Sequence, residues 1–535
     1  MRSNLILVVI ISIGIILRVV NIESNPPALY GDELTMVLDT YSLLKTGHDQ
    51  LGNFMPLTFQ MGAGRPAGYV YASLPFVAIF GPILGIRTLS ILSGIGIIIL
   101  LYFLSKKLFS QKLGLYAAFI AAVSPWDIAL SRGGFEAHFA LFLALLGTFL
   151  FIKAKEKPTL YLISALSFGL SLHTYPTYKI TLPLFLFALL YFQGIKNFLK
   201  IKKYSIGGAS ILFILAVLSL SQTFIGNSEE RFSNINVFSQ KDLKTEIEQK
   251  VNFERDITDL PINLAKYFYN KPIEYTKVFI ENYLQNFSMD FLILHGDRNP
   301  RHNMATMGGI YFAQVLLILI GLISFWQKQK KLMLFLIAWL ALAPIPTAFV
   351  DTPHGLRSSF MLPPLILFSS MGVTTILKSK NRLILLAVLL LFVIQLFFFL
   401  QKLYFLAPNE YSKFWSYPAK LASEIALDNK NSFEYIFLSD KIDNIEFAYP
   451  VYANINPTQI IEQNKQKFRI GNYEFKKFNN VFIGSIPDSR IEEFISETGG
   501  RVLFIGDIGQ RELLEGFETV DGLDKIKALV LKKKL

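Results

Sequence analysis

The amino-acid sequence predicts a polytopic α-helical membrane protein with a small α/β domain at its C-terminal end, and three observations predict it. Hydrophobic residues make up 52% of the 535 positions and charged residues 17%, well under the ~25% charge usual in soluble domains. The apolar residues gather in blocks about 15 to 20 long, the length that crosses a ~30 Å hydrocarbon core. Beyond Lys402 the pattern changes to that of a soluble domain. A purely soluble enzyme is therefore excluded. The chain has no Cys, which excludes disulfides, zinc-thiolate sites, iron–sulfur clusters and thiol catalysis, and leaves the redox compartment open. Its net charge of +12 resembles a nucleic-acid signal until the cations are located, because many sit in short loops between apolar blocks.

The first block, Leu5 to Val20, follows Arg2 and ends at Arg18 and Asn21 with no small-residue cleavage site, so it reads as a retained span that starts inside. Further blocks run over roughly 87–104, 113–130, 139–152, 159–175, 180–194, 205–223, 309–326, 332–349, 359–377 and 382–401. The segment 69–84 is shorter and interrupted by Pro75, Gly81 and Pro82. If it does not span, every second loop is basic: Lys106, Lys107 and Lys112; Lys153, Lys155 and Lys157; Lys196, Lys200, Lys202 and Lys203; Lys328, Lys330 and Lys331; Lys378, Lys380 and Arg382. The positive-inside rule then places these loops and the N-terminus in the cytoplasm. Treating 69–84 as interfacial or re-entrant is permissible where protein covers its backbone. About eleven spans result. Residues 23–68, 131–138, 173–179, 224–308, 350–358 and 402–535 share the exterior face.

Residues 1–401 are thus expected to form one transmembrane domain that includes exterior loops 23–68 and 224–308, and residues 402–535 a soluble exterior domain. In the long loop, an amphipathic helix is expected from Pro272, a favourable first-turn residue, to about Phe287. In the C-terminal domain, Tyr435–Leu438, Val481–Ile483 and Val502–Ile505 read as strands. Ser489 to Thr498 reads as a helix stopped by Gly499 and Gly500. No internal repeat is present.

The polar residues of interest cluster on the exterior face. Asp32-Glu33 follows the first span; adjacent helical residues point about 100° apart, so the two acids suit separate roles rather than a shared proton. A plainly solvated pair is the competing reading. Arg132, Glu136 and His138 lie at or near membrane depth, where ionisable groups face a protein interior or an aqueous cavity. A structural Arg132–Glu136 pair one helical turn apart is the alternative there, and His138 reads as a packing residue. His173 and Tyr175 end one span. His295, Asp297, Arg298 and His302 close the long loop, and Asp351, His354 and Arg357 occupy the next exterior loop. Cations beside an apolar bundle suit a ligand with a phosphate head and a hydrocarbon tail, such as a polyprenyl phosphate, since Arg offers forked donors to phosphate oxygens. Any single cation of this kind could equally be snorkelling to headgroups. His295, Asp297 and His302 match no standard metal-ligand spacing, and no zinc-protease helix, P-loop or dinucleotide glycine fingerprint is present.

Four features make the chain resemble the GT-C membrane glycosyltransferases, in particular the protein O-mannosyltransferase and aminoarabinose-transferase-like group of glycosyltransferase family 39 and its relatives. They are Asp32-Glu33; Arg65-Pro66 followed by Gly68-Tyr69; Arg87 opening a span that ends in Lys106-Lys107-Leu108-Phe109; and Ser124-Pro125 followed by Ser131-Arg132. The resemblance covers about residues 1–400 as architecture and is specific within the first 140. It implies a GT-C-like bundle with interfacial helices in the first exterior loop, Asp32 as catalytic base with Glu33 in support, and Arg65 on the lipid phosphate. The C-terminal domain departs from the family's sugar-binding modules and leaves the acceptor open.

The expected function is transfer of a sugar from a polyprenyl-phosphate donor to a protein, lipid or surface-glycan acceptor, with inversion. Asp32 and Glu33 are the catalytic candidates. Arg65, Arg132, Arg298 and Arg357 are the donor-phosphate candidates, and Glu136, His138, His173, Tyr175, His295, Asp297 and His354 the substrate candidates. No cofactor is required, a divalent metal is not supported by the spacing, and no nucleic-acid partner is expected. In a prokaryote the membrane is the plasma membrane. The rivals are a flippase or transporter of lipid-linked glycans, and a glycan polymerase or ligase using a lipid diphosphate donor. Transporters tend to show paired broken spans in two halves, whereas this chain has one broken segment and its polar residues gather at one face.

Overall fold

The computed structural model describes residues 2–60, 64–225, 236–304, 307–350, 352–379, 381–510, 518–519 and 528–534. Asp351, Lys380 and residues 226–235 of the expected long exterior loop lie outside the described residues, as do 511–517 and 520–527 near the C-terminal end. The apolar blocks become helices, the one at 113–130 as two. The early ones are α1 (Arg2–Val19), α2 (Gly31–Thr46), α3 (Gly68–Leu108), α4 (Gln111–Ala122), α5 (Pro125–Arg132), α6 (Glu136–Lys153), α7 (Leu160–Leu172), α8 (Tyr178–Gln193), α9 (Ile195–Lys200) and α10 (Lys202–Ile225). Among the described residues, six helices are long and apolar enough to cross a membrane, with α4 and α5 a seventh if that pair, bent by 54°, is one span. Ser3–Val19, α7, α8 and Phe312–Trp326 are shorter apolar helices. The protein is an integral membrane protein by these helices and by the fold reported below. The Arg382–Gln401 helix buries only Phe392 and Phe399. Its exposed Leu, Ile, Val and Phe side chains suit contact with lipid.

The chain divides into two compact units. The first comprises Met1–Val20, Leu57–Tyr69 and Leu89–Leu403; the second comprises Asn21–Pro56, Val70–Thr88 and Tyr404–Leu535. The second unit takes up again at Tyr404, and residues 21–56, the segment after α1 that carries α2, group with it. Long-range bonds explain the grouping. The Leu29 amide donates to the Tyr452 hydroxyl at 3.0 Å, Lys420 Nζ donates to the Pro27 carbonyl at 3.2 Å, and the Asn464 amide donates to the Gln50 carbonyl at 2.9 Å.

Within α3 the helix breaks at Gly81, whose φ of 77° belongs to the left-handed region that glycine enters without steric cost. Beyond the break the chain folds so tightly that a side-chain carbon on Gly85 would come within 2.4 Å of the Val77 backbone. Residues 69–84 are therefore not collinear with the apolar run that follows.

The second unit carries a seven-stranded mixed sheet of order β4-β5-β6-β3-β7-β9-β8. Its strands are β3 (Tyr435–Ser439), β4 (Phe468–Ile470), β5 (Tyr473–Phe478), β6 (Val481–Gly484), β7 (Val502–Asp507), β8 (Glu518–Thr519) and β9 (Leu529–Lys534). A further pair, β1 (Thr58–Phe59) with β2 (Arg65–Pro66), lies in the first unit. The central β6, β3 and β7 run parallel. Their near-continuous apolar sequences are those of strands covered on both faces, and Phe437, Phe475, Phe482, Phe494 and Phe504 form the core around them. The expected helix after Ser489 runs from Ile491 to Glu497, and the amphipathic helix expected from Pro272 runs from Lys271 to Gln285 with Asn270 capping it.

A buried polar network joins α1, α4, α5 and α6 of the first unit. Arg18, wholly buried, donates from Nε to the Ser131 hydroxyl at 3.1 Å, from Nη1 to the Gly14 and Ala122 carbonyls at 2.8 and 3.0 Å, and from Nη2 to the Ala121 carbonyl at 3.1 Å. Its Nη2 also pairs with Asp127, whose other oxygen lies 2.9 Å from His138 Nε2. Gly94 makes room: a side-chain carbon there would fall 2.2 Å from the Ser131 hydroxyl and 2.8 Å from Arg18 Nε. Removing one partner of a buried ion pair leaves an uncompensated charge, at a cost of roughly 3–5 kcal/mol. Arg18→Leu should thus lower the thermal midpoint of the purified protein strongly. Arg18→Leu combined with Asp127→Leu should recover much of the loss, as read by thermal unfolding in detergent.

Candidate active site

The two adjacent acids at the start of α2 are separated by their environments. Asp32 is exposed on the first turn of α2. Glu33 is fully buried. Its carboxylate accepts from Arg87 Nε at 3.0 Å and Nη2 at 3.2 Å, and reaches back to the Tyr30 amide at 3.3 Å, closing the start of the helix. Arg87 also donates to the Ile22, Pro26 and Ala28 carbonyls at 3.0, 3.2 and 2.6 Å, so one guanidinium ties down the strand of loop that leads into α2. Trp415 lies beneath this point, with its ring 5.8 Å from the Arg87 guanidinium and edge-on to Tyr30 at 5.4 Å. Asn444 lies so close to Gly31 that a side-chain carbon there would meet its Oδ1 at 2.6 Å. The C-terminal region thus holds the helix that carries Asp32.

In the first unit, Arg65 on β2 is 1% exposed, and its Nε is 2.7 Å from Glu136 Oε1. Glu136 occupies the first turn of α6, where the helix dipole favours an anion. Next to it, Phe135 stands edge-on to His302 at 5.8 Å. His302 belongs to a second cluster. Its Nδ1 is 2.6 Å from Asp297 Oδ2, the same oxygen that accepts from the Gly355 amide at 2.6 Å, while Asp297 Oδ1 accepts from the Asn299 amide at 2.8 Å. His354 Nδ1 lies 3.7 Å from Asp297 Oδ2, and the two imidazoles face each other at 4.6 Å. Burial alone would raise the Asp297 carboxyl. The charge and hydrogen bond of His302, with His354 and the Asn299 amide, outweigh it and hold the carboxyl well below the usual carboxylate range. Burial pushes the His354 imidazole down, and the neighbouring His302 and Arg357 charges add to that against the opposing pull of Asp297.

The other expected site residues are placed as follows. Arg132 is buried and donates from Nη1 and Nη2 to the Leu17, Arg18 and Val20 carbonyls at 3.1, 3.3 and 2.8 Å, satisfying the end of α1. The pair partner of Glu136 is Arg65, from a distant strand, rather than Arg132. His138 belongs to the Asp127 network, and His173 Nε2 lies 2.9 Å from the Leu215 carbonyl. Tyr175 is buried. His295 is 76% exposed and pairs with Asp290, apart from Asp297. Arg298 is exposed and Arg357 half-buried. Sequence reasoning passed over Arg18, Asp127 and the pairing of Arg87 with Glu33. The signal for the first was an Arg inside an apolar span; nothing local pointed to its partner.

Residues 66–220 match the family described as dolichyl-phosphate-mannose-protein mannosyltransferase. The structure is similar to ArnT from Cupriavidus metallidurans bound to undecaprenyl phosphate, with a TM-score of 0.53 at 9% identity, covering 99% of this chain and 98% of that one. It is also similar to the oligosaccharyltransferase of Archaeoglobus fulgidus tethered with an acceptor peptide containing the NVT sequon, with a TM-score of 0.50 at 13% identity, over 95% of this chain and 69% of that one. The chain has the GT-C fold. The family match and the two structures together support a membrane glycosyltransferase of that superfamily. A comparison with curated proteins finds no significant match.

The separation of the two acids has a direct consequence for stability. Glu33→Gln should destabilise the GT-C protein by roughly 3–5 kcal/mol, because Arg87 is left buried without its carboxylate. Asp32→Asn, at an exposed position, should stay within about 0.5 kcal/mol of wild type. Paired thermal unfolding curves of the two variants check this.

Proposed function

We propose that the protein transfers a sugar from a polyprenyl-phosphate donor to an acceptor hydroxyl at the exterior membrane face, with inversion at the anomeric carbon. The observation that carries this reading is a fold that spans nearly all of ArnT, a protein seen with undecaprenyl phosphate bound, in a chain whose residues 66–220 match the mannosyltransferase family. Asp32 acts as general base and takes the proton of the attacking hydroxyl. The new glycosidic bond forms as the bond from the anomeric carbon to the phosphate oxygen breaks, and polyprenyl phosphate departs with that electron pair. The resemblance of the Asp32-Glu33 motif and the exposure of Asp32 support this role. Glu33 is a positioning residue that, through Arg87, fixes the helix bearing the base.

Arg65 is assigned to the donor phosphate, where a guanidinium stabilises the charge that grows on the leaving group. Its pairing with Glu136 supports the assignment, since a buried carboxylate keeps the guanidinium oriented and a phosphate oxygen is a chemically equivalent acceptor. Arg298 and Arg357 remain candidates for the head group. Arg132 is left out of the phosphate set because its terminal nitrogens serve α1. His173 and His138 are likewise assigned to holding the bundle, while Tyr175, His295, Asp297 and His354 stay among the sugar-side candidates.

Asp32→Asn should reduce transfer by about 10²–10⁴-fold, the range of a general base, with donor binding and thermal midpoint retained. Arg65→Ala should weaken donor binding as well as turnover. Product formation from a panel of polyprenyl-phosphate sugars, followed by mass spectrometry alongside donor-binding measurements, tests both. Undiminished turnover in Asp32→Asn would remove the base assignment. Donor binding without turnover by wild type across all acceptors would favour a flippase.

A further inference from the structure

We propose that Asp297, His302 and His354 bind one divalent transition-metal ion of the zinc class. The three side chains come from two segments far apart in sequence, and one donor atom from each lies within 4.8 Å of the other two. Two imidazole nitrogens and a carboxylate oxygen suit zinc and its neighbours better than magnesium or calcium, which prefer all-oxygen shells. Three protein ligands with room for one more also describe zinc sites that keep an open position.

Three details favour an ion over a self-contained His–Asp contact. His354 Nδ1 is buried at that atom and makes no hydrogen bond. It points at Asp297 Oδ2 from 3.7 Å, too long for a hydrogen bond yet near the ~3.4 Å that separates two donors of a tetrahedral ion with bonds of about 2.0–2.1 Å. A cavity of about 20 Å³, lined by Asp297, His302, Trp126 and Gly355, adjoins the cluster, room enough for one water or one small ligand atom beside an ion. The carboxylate is also braced as a ligand should be, by the Gly355 and Asn299 amides, and Trp126 Nε1 fixes the Gly355 carbonyl at 2.9 Å. Binding would replace the proton between His302 and Asp297, opening their 2.6 Å contact to a ligand–ligand separation.

The experiment uses the full-length protein in detergent, freed of any histidine tag, stripped with a chelator and dialysed against Zn²⁺ alone. Wild type should retain one equivalent per chain by elemental analysis, and its thermal midpoint should rise with Zn²⁺, as a ligand of the native state requires. His302→Ala and His354→Gln should each lose the equivalent or bind at least tenfold more weakly. The His354 ring is 23% exposed, so its variant is expected to keep the metal-free midpoint of wild type. His295→Ala should bind like wild type. Co²⁺ in place of Zn²⁺ should give tetrahedral visible absorption in wild type and lose it in His354→Gln. No retained zinc in wild type, or equal retention in His302→Ala and His354→Gln, would overturn the proposal. Neither readout uses a sugar donor, so failure here leaves the glycosyltransferase reading standing.

Discussion

Each unit depends on buried guanidiniums matched by a carboxylate, and Arg18 and Arg87 add several backbone carbonyls to theirs. Arg18 with Asp127, Arg65 with Glu136 and Arg87 with Glu33 are all but inaccessible to solvent. In a membrane protein the last carbonyls of a helix have little water to turn to, and an Arg whose five N–H groups spread over neighbouring chain ends supplies the missing donors. The carboxylate then balances the charge. Such pairs contribute little net stability compared with apolar packing, but half a pair is costly. They therefore act as address marks: Arg18 specifies where α4 and α5 meet α1, and Arg87 specifies the path of the loop into α2.

This arrangement also divides labour between neighbouring acids. Glu33 and Asp32 are one residue apart, and the helix turns them to different surroundings. One is consumed by structure, while the other, the candidate base, stays exposed on a helix start that Trp415, Tyr452 and Asn444 help to hold. The C-terminal domain, whose role the sequence left open, acquires a purpose from these contacts: it braces the segment that carries the candidate base.

Much of the architecture was readable because its signals are local. Apolar block length marks helices, Pro272 marks a helix start, and the runs at Tyr435, Val481 and Val502 mark strands. Partner choice was not readable. A charged residue at the end of a span has the same sequence signature whether it snorkels, caps a neighbouring helix as Arg132 does, or pairs with a strand as Glu136 does with Arg65. The distinction is made by residues often a hundred positions away, and no periodicity encodes them. The same holds for His354, which joins Asp297 only in three dimensions, while His295, adjacent in sequence, turns outward to Asp290. The grouping of residues 21–56 with the C-terminal region was hidden for the same reason.

The central claim is that this GT-C fold performs glycosyl transfer from a lipid monophosphate. The most direct measurement is the fate of radiolabelled polyprenyl-phosphate and polyprenyl-diphosphate sugars, each incubated separately with the wild-type protein and mixed acceptors in lipid nanodiscs. The account predicts stoichiometric release of polyprenyl phosphate together with a glycoside of inverted anomeric configuration. Release of a lipid diphosphate from a diphosphate-linked donor, with the monophosphate donor untouched, would contradict it.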